Sequence, residues 1–193
     1  MKRTKPKYKQ IVDAAVIVIA ENGYHQAQVS KIAKKAGVAD GTIYLYFKNK
    51  EDILVSVFRE KMAVFGVNIK EILEKDLPIS EKLLQVIENH FRVLQEDPHL
   101  AIVTQLELRQ SNKELRSQIN GVLKEYMVLL DELLKGGVET GELSPDLDLR
   151  LARQMLFGTM DETITSWVLN DQKFDLLKTA PKVSKMLLHG YCQ

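Results

Sequence analysis

Residues 32–54 read IAKKAGVADGTIYLYFKNKEDIL, and this segment predicts the fold. Apolar residues at helical spacing are followed by Gly37, which introduces a turn, and a second short helix is expected from Gly41 to Phe47. Asp40 is the expected N-cap of that helix, because its carboxylate can accept from the first backbone N–H groups. Two short helices joined by a glycine-containing turn form a helix-turn-helix, whose second helix enters the major groove of DNA.

The second helix of this motif carries side chains that suit a DNA surface. Gly41 has no side chain, so the backbone there can approach a base edge, and Thr42 and Tyr44 carry hydroxyl groups for phosphates. Lysines on both sides of the helix supply the positive charge that phosphate binding requires. We predict a DNA contact set, with Thr42, Tyr44 and Lys50 on phosphates. The predicted set consists of Lys31, Gly41, Thr42, Tyr44, Tyr46, Lys48 and Lys50.

The charges of the chain are segregated. The whole sequence of 193 residues holds 27 Lys and Arg against 26 Asp and Glu, a net charge of +1. Residues 1–50 hold ten of these bases and three of these acids, which gives +7 and leaves −6 on residues 51–193. An excess of positive charge confined to one end predicts contact with nucleic acid there.

The remainder of the sequence also has helical spacing, with few Gly and Pro residues and weak strand signals. We expect an all-α protein of about nine helices. Asn49 is the expected cap of a long fourth helix, Ser80 is the expected cap of the fifth, and Ser144 begins the eighth. The expected helices cover about 5–22, 29–36, 41–47, 50–74, 80–95, 98–109, 112–139, 144–169 and 175–189.

Other classes of protein are not expected from this sequence. Cys192 is its single cysteine, so no intrachain disulfide is expected, and no apolar stretch is long enough to span a bilayer. We therefore expect a cytoplasmic protein that does not contact a membrane. The four histidines lack metal-ligand spacing and no catalytic constellation appears, so we expect no metal, no cofactor and no enzymatic activity.

Residues 32–54 closely resemble the signature of the TetR family of transcriptional repressors, roughly IA..AGVS.GTLY.HF..K..L. Ala39 and Tyr46 depart from it, at positions where Ser and His are frequent. The resemblance implies an all-α homodimer that binds a palindromic double-stranded DNA operator through two recognition helices, roughly 34–36 Å apart or more. It also implies a helix-turn-helix DNA-binding domain in residues 1–50 and a ligand-binding and dimerisation domain in residues 51–193.

Later segments are similar to a subgroup of the TetR family that regulates fatty-acid degradation in Bacillus-type bacteria. The similarity covers residues 106–112, 151–163 and 167–173. It implies repression of fatty-acid degradation genes and release of the operator when long-chain acyl-CoA binds as the effector. The fourth helix belongs to both domains and is expected to carry the conformational change. The predicted ligand-binding residues are Phe91, Gln105, Leu106, Arg109, Met155, Met160, Asp161 and Trp167.

Each ligand prediction has a structural alternative. Apolar side chains at helical spacing belong more often to a core than to a ligand cavity. Arg109, the favoured partner of the CoA headgroup, can instead pair with Glu107 or Glu114. Asp161 and Thr165 are four residues apart and can hydrogen-bond each other as a purely structural pair.

Other functions also stay open at this point. A TetR-type repressor of a drug-efflux gene would respond to a lipophilic cation, which the charge of −6 on residues 51–193 would favour. The same charge opposes a polyanionic acyl-CoA unless cations are gathered locally. An enzyme acting on acyl-CoA and an architectural DNA-binding protein without an effector are the remaining alternatives.

Overall fold

The computed structural model describes residues 6–192 of the chain. Within that range the chain forms nine α-helices, one 3-10 helix and no strand, so the prediction of an all-α protein of about nine helices is confirmed. The helices are α1 (Pro6–Asn22), α2 (Val29–Lys35), α3 (Asp40–Ile43), α4 (Lys50–Leu73), α5 (Ile79–Glu96), α6 (Pro98–Glu107), α7 (Lys113–Glu139), α8 (Leu149–Leu169) and α9 (Ala180–Tyr191), with the 3-10 helix at Leu177–Thr179.

Local chemistry ends the first helices where the sequence predicts. Gly23 has a φ of +73° directly after α1, and Gly37 has a φ of +64° between α2 and α3. Glycine adopts this left-handed conformation without the steric cost that a Cβ would add. Asn49 caps α4 as predicted, since its Oδ1 accepts from the N–H of Asp52 at 2.8 Å.

The recognition segment, which we define as residues 40–47, differs from its prediction. The α3 helix contains only Asp40–Ile43, and the chain continues to Phe47 in tight turns instead of an α-helix. The N–H of Leu45 reaches back three residues, at 3.2 Å, instead of the four of an α-helix. The predicted cap is also wrong, because Asp40 is the first helical residue, Ala39 holds the N-cap position, and no side chain caps the helix.

The predicted cap of α5 is wrong as well. The helix begins at Ile79, one residue before Ser80, and Pro78 holds the N-cap position without a side-chain hydrogen bond. The N–H of Ile79 donates to Oε2 of Glu142 at 2.9 Å. A carboxylate from a distant part of the chain thus takes the place of the local cap.

The α8 helix begins later than predicted, at Leu149 instead of near Ser144. Its N-cap is Asp148, whose Oδ1 accepts from the N–H of Leu151 at 3.0 Å. Ser144 instead donates its N–H to the carbonyl oxygen of Tyr191 at 3.1 Å. The connection before α8 is therefore hydrogen-bonded to the end of α9 and is not helical.

The chain forms two compact units. The first comprises residues 1–62 and 99–122, and the second comprises residues 63–98 and 123–193. The α4 and α7 helices each contribute residues to both units. Because these units do not follow the predicted boundary between residues 50 and 51, the division of function at that point stays a prediction.

The core of the first unit orients α3. Ile43 is completely buried, and so is Ile32 of α2. Tyr8 of α1 stacks on Phe47, with the ring centroids 5.2 Å apart and the ring planes 18° apart. This packing determines which side of the recognition segment faces solvent.

In the second unit α5 packs against α8 and α9. Leu83, Ile87 and Phe91 of α5 are buried at the helical spacing that the sequence contains. Tyr191 at the end of α9 donates its hydroxyl to the carbonyl oxygen of Ala152 in α8 at 2.7 Å. The last helix is therefore fastened to α8 by a hydrogen bond as well as by apolar contact.

Alanine substitution of Gly137 in α7 tests this packing. A Cβ added there would lie 2.6 Å from Cδ1 of Leu143 and 3.0 Å from Cγ2 of Ile79, whereas one added at Gly136 would meet Cδ1 of Ile79 at an ordinary 3.7 Å. We expect Gly137→Ala to lower the free energy of unfolding by about 1–3 kcal/mol through overpacking. Gly136→Ala should raise it by up to about 1 kcal/mol through helix propensity. Urea unfolding measures both, and equal stabilisation by the two variants would contradict this description of the core.

Candidate functional site

The predicted DNA contacts lie on and around the helix-turn-helix, on surfaces that solvent reaches to different degrees. The exposed residues of the set are Lys31, Gly41, Tyr44 and Lys48. The half-buried residues are Thr42, Tyr46 and Lys50. None is fully buried, so every one of the seven has at least part of its surface available to a duplex, and their contacts with DNA stay predictions.

Lys50 forms hydrogen bonds within the chain that were not predicted from the sequence. Its Nζ donates to the carbonyl oxygens of Tyr24, at 2.9 Å, and His25, at 3.0 Å. The same ammonium lies 4.6 Å from the centroid of the Tyr24 ring. A lysine ammonium has three N–H donors, so one is left for a phosphate oxygen. Lys50 therefore holds the turn between α1 and α2, in addition to its predicted phosphate contact.

Leu45 is a further candidate contact that the predicted set omits. Its side chain is 63% exposed, beside Tyr44 at 59%. Ile43 and Phe47 on either side of it are buried, so Leu45 lies on the outward side of the segment. An exposed apolar side chain on a recognition segment suits contact with a thymine methyl group in the major groove.

The predicted ligand-binding residues are divided between the two units. Those in the first unit are Gln105, which is buried, Leu106, which is 50% exposed, and Arg109, which is exposed. Those in the second unit are Phe91, Met160, Asp161 and Trp167, which are buried, and Met155, which is 43% exposed. The two sets belong to different compact units. Their roles in ligand binding stay predictions.

Two of these residues make structural hydrogen bonds. Trp167 donates its Nε1–H to the carbonyl oxygen of Phe174 at 2.8 Å, just beyond α8. Thr165 donates its hydroxyl to the backbone carbonyl oxygen of Asp161 at 2.8 Å, one helical turn back. One hydrogen bond within the predicted pair thus runs from the Thr165 hydroxyl to the main chain of Asp161.

A cluster of aromatic rings and one histidine lies inside the second unit. Phe65 of α4 lies 4.6 Å from His90 of α5, measured between ring centroids. Tyr126 of α7 lies 2.8 Å from His90, from Oη to Nδ1, and its ring contacts Phe157 of α8 at 6.2 Å. Sequence reasoning selected Phe91 but not its neighbour His90, because a lone histidine on an apolar helix face gives no signal of its partner.

Burial keeps this cluster uncharged. It lowers the pKa of His90 to about 4 and raises the pKa of the Tyr126 hydroxyl. The imidazole and the phenol are therefore both neutral at pH 7, and they satisfy each other by one hydrogen bond. An interior with these properties is compatible with an apolar ligand and unfavourable for a charged one.

One side of α8 borders a surface groove of about 710 Å³. Met155 is the predicted ligand residue that lies in it. A Cβ added to Gly158 would meet nothing within 4 Å, so the groove passes over bare helix backbone there. The groove is lined by Gln154, Met155, Gly158, Thr159, Glu162, Thr163, Ser166, Phe174 and Thr179.

Residues 6–192 contain neither a candidate metal cluster nor a candidate membrane span. In that range no group of three His, Cys, Asp or Glu side chains is placed to hold a metal ion. None of its helices has both the length and the apolar character that crossing a bilayer requires.

Comparison with known families decides the classification. Residues 11–57 match the family model described as bacterial regulatory proteins, tetR family, and residues 58–190 match the model described as YsiA-like protein, C-terminal region. The chain belongs to the TetR family. A TetR-family protein is a DNA-binding transcription regulator and not an enzyme, which agrees with the sequence prediction.

Close relatives of this TetR-family chain regulate fatty acid metabolism. It is 60% identical over 190 residues to the fatty acid metabolism regulator protein of Bacillus subtilis strain 168, covering 98% of each chain. The fatty acid degradation regulator FadR of Bacillus halodurans has a solved structure with 59% identity and a TM-score of 0.92. FadR of Bacillus subtilis, solved in complex with stearoyl-CoA, has 61% identity and a TM-score of 0.92. Both structural matches cover 95% of this chain and 98% of the other.

The DNA interface is tested by the salt dependence of operator binding. Lys48→Ala should lower the slope of log affinity against log salt concentration by about 0.9, the amount for one phosphate contact. Lys50→Ala should lower it similarly and reduce the affinity further, because it also releases the turn at Tyr24. Lys124→Ala, an exposed lysine of α7, is the matched control. An unchanged slope in Lys48→Ala would remove Lys48 from the DNA contacts.

The pH dependence of unfolding tests the buried histidine. His90 has a folded pKa of about 4 against an ordinary value of 6.5, so the unfolded chain binds more protons in acid. The stability from this group is present in full above pH 6.5 and is lost as the pH falls to 4, by about 3 kcal/mol. His90→Gln removes the ionisation, so urea unfolding should show a smaller loss for the variant. Parallel curves for the two proteins would contradict a buried neutral imidazole.

Proposed function

We propose that the chain represses fatty-acid degradation genes, binds a palindromic operator as a homodimer, and leaves the operator when long-chain acyl-CoA binds. The observation that carries this proposal is the 60% identity, over 98% of both chains, to the fatty acid metabolism regulator of Bacillus subtilis. The 61% identical FadR solved with stearoyl-CoA supports the effector class. Because a bacterial transcription regulator acts where the DNA is, we place the protein in the cytoplasm.

Operator binding would depend on the basic N-terminal part of the chain. The charge of +7 on residues 1–50 matches the polyanionic duplex, and counterion release supplies affinity that does not depend on sequence. Residues 41–48 contain no Arg and no Asn. Bidentate contacts with base edges are therefore few. Sequence preference would therefore rest on apolar contact, as at Leu45, and on DNA shape.

Acyl-chain binding requires an apolar interior, which the aromatic cluster around His90 supports. Burial contributes about 0.8 kcal/mol for each methylene, so a long chain gains on the order of 10 kcal/mol before entropy losses. The neutral His90 and Tyr126 place no charge against the chain. Met160 is also fully buried in this unit, and its flexible side chain can adapt to different chain lengths.

The polyanionic CoA headgroup needs cations that are accessible from solvent. Arg109 is exposed and stays the proposed headgroup contact. Arg153 is half-buried and bonds Asp131 at 2.6 Å from Nη1 to Oδ2, so it is a weaker candidate. A local cation is required because the average charge of residues 51–193 is unfavourable for a polyanion.

The proposed homodimer would use the outer faces of α8 and α9. Large apolar side chains are exposed on both helices, including Leu151 at 53% and Met186 at 75%. The groove along α8 is open at Gly158, where another helix can approach the backbone closely. Exposed large apolar side chains on two helices that contact each other suit an interface with a second copy of the chain.

The effector is tested on an operator selected from random duplexes with the full-length protein. Stearoyl-CoA should lower operator affinity, measured by fluorescence anisotropy, by about 5–150-fold, the usual range of allosteric coupling. Free CoA and free stearate should have little effect, because each lacks one half of the proposed interactions. Release by a lipophilic cation but not by stearoyl-CoA would contradict the proposal and favour a drug-efflux repressor.

A further inference from the structure

Tyr24, in the turn between α1 and α2, is held from two sides. Its backbone N–H donates to Oε1 of Glu107, the last residue of α6, at 2.9 Å. Its carbonyl oxygen accepts from Nζ of Lys50, the first residue of α4, at 2.9 Å. A carboxylate and an ammonium thus both form hydrogen bonds with the main chain of Tyr24. We call Glu107, Tyr24 and Lys50 the Tyr24 clamp.

The carboxylate of the clamp is itself held in position. Gln110 is 5% exposed and donates from Nε2 to Oε2 of Glu107 at 2.7 Å. Arg116 of α7 donates from Nη1 to the carbonyl oxygen of Gln110 at 3.0 Å. Hydrogen bonds to charged groups are stronger than those between neutral groups. A connected series of hydrogen bonds therefore runs from α7 to the turn before α2, all within the first compact unit.

Because of its position, the Tyr24 clamp can affect the orientation of the recognition segment. The α2 helix begins at Val29, shortly after Tyr24, and packs against α3. Tyr24 is 5% exposed, and burial, with the nearby charges of Glu51 and Glu107, raises its pKa to about 12. Its side chain is therefore a neutral anchor in the core, while its main chain receives both charged partners. A displaced Glu107 would leave that N–H without its acceptor and loosen the entry to α2.

We propose that the Tyr24 clamp is the positioning device through which the end of α6 holds the helix-turn-helix in its DNA-binding state, and that effector binding opens it. The second part rests on the proposed function. Three predicted ligand residues, Gln105, Leu106 and Arg109, flank Glu107 in the sequence. A small shift of this segment breaks a 2.9 Å hydrogen bond, so the clamp provides a route besides the predicted one through α4.

The test compares operator affinity with and without stearoyl-CoA in the full-length protein. Glu107→Ala should weaken effector-free operator binding about tenfold, and the further effect of stearoyl-CoA should shrink by the same factor, since the clamp is already open. Glu107→Gln keeps an oxygen acceptor for the Tyr24 N–H and should recover most of both values. Glu21→Ala removes an exposed carboxylate at the end of α1, close to Tyr24 in sequence, and should behave as wild type.

Amide hydrogen exchange of Tyr24 tests the clamp without any effector. Exchange should be at least about tenfold faster in Glu107→Ala, and unchanged in Glu21→Ala. An unchanged rate in Glu107→Ala would overturn the inference, and so would faster exchange combined with wild-type operator affinity. If wild type fails to respond to stearoyl-CoA, the proposed function is wrong, while exchange and effector-free affinity still decide whether the clamp positions the helix-turn-helix.

Discussion

The recognition segment depends on the burial of Ile43 and Phe47, because it is too short to fold alone. Four helical residues make about one turn, and an isolated turn is unstable in water, since nucleation fixes several dihedral angles for one hydrogen bond. Complete burial of Ile43 and stacking of Phe47 on Tyr8 hold the segment on α1. The outward surface of Tyr44 and Leu45 is therefore a consequence of the inward packing, and any change in how α1 and α2 meet alters the surface that DNA reads.

The same dependence explains why the turn between α1 and α2 is held by charged groups. The turn carries the main chain from the helix that supplies Tyr8 to the helix that supports α3, so its conformation affects the whole motif. Lys50 and Glu107 come from different helices and bond to the same residue, Tyr24. Regulation requires an element with two arrangements that both ligands bias, and a hydrogen-bonded carboxylate at the end of α6 is suited to this role because it can be displaced without unfolding a core.

Features that rest on nearby residues were predictable from the sequence, and features that rest on distant partners were not. The helices, the glycine turn and the Asn49 cap follow from spacing and local hydrogen bonding, and the segment 32–54 resembles its family closely enough to identify it. Ser80 failed as a cap because Glu142, from far along the chain, satisfies the first N–H of α5. The partners of Lys50 and His90 are likewise supplied by other helices. Leu45 was within reach of sequence reasoning, since the spacing of Ile43 and Phe47 already places it outward.

The opposed charges of the chain affect its two proposed polyanionic ligands differently. The charge of +7 on residues 1–50 favours DNA, whereas the charge of −6 on residues 51–193 opposes the CoA headgroup. Acyl-CoA binding there would therefore depend on the apolar interior and on cations gathered locally. The most direct test is native mass spectrometry of the full-length protein with its selected operator, titrated with stearoyl-CoA. We expect a complex of two chains with one duplex that gives way to a DNA-free dimer carrying stearoyl-CoA. A complex that keeps both DNA and stearoyl-CoA throughout the titration, or a protein that never takes up the acyl-CoA, would contradict it.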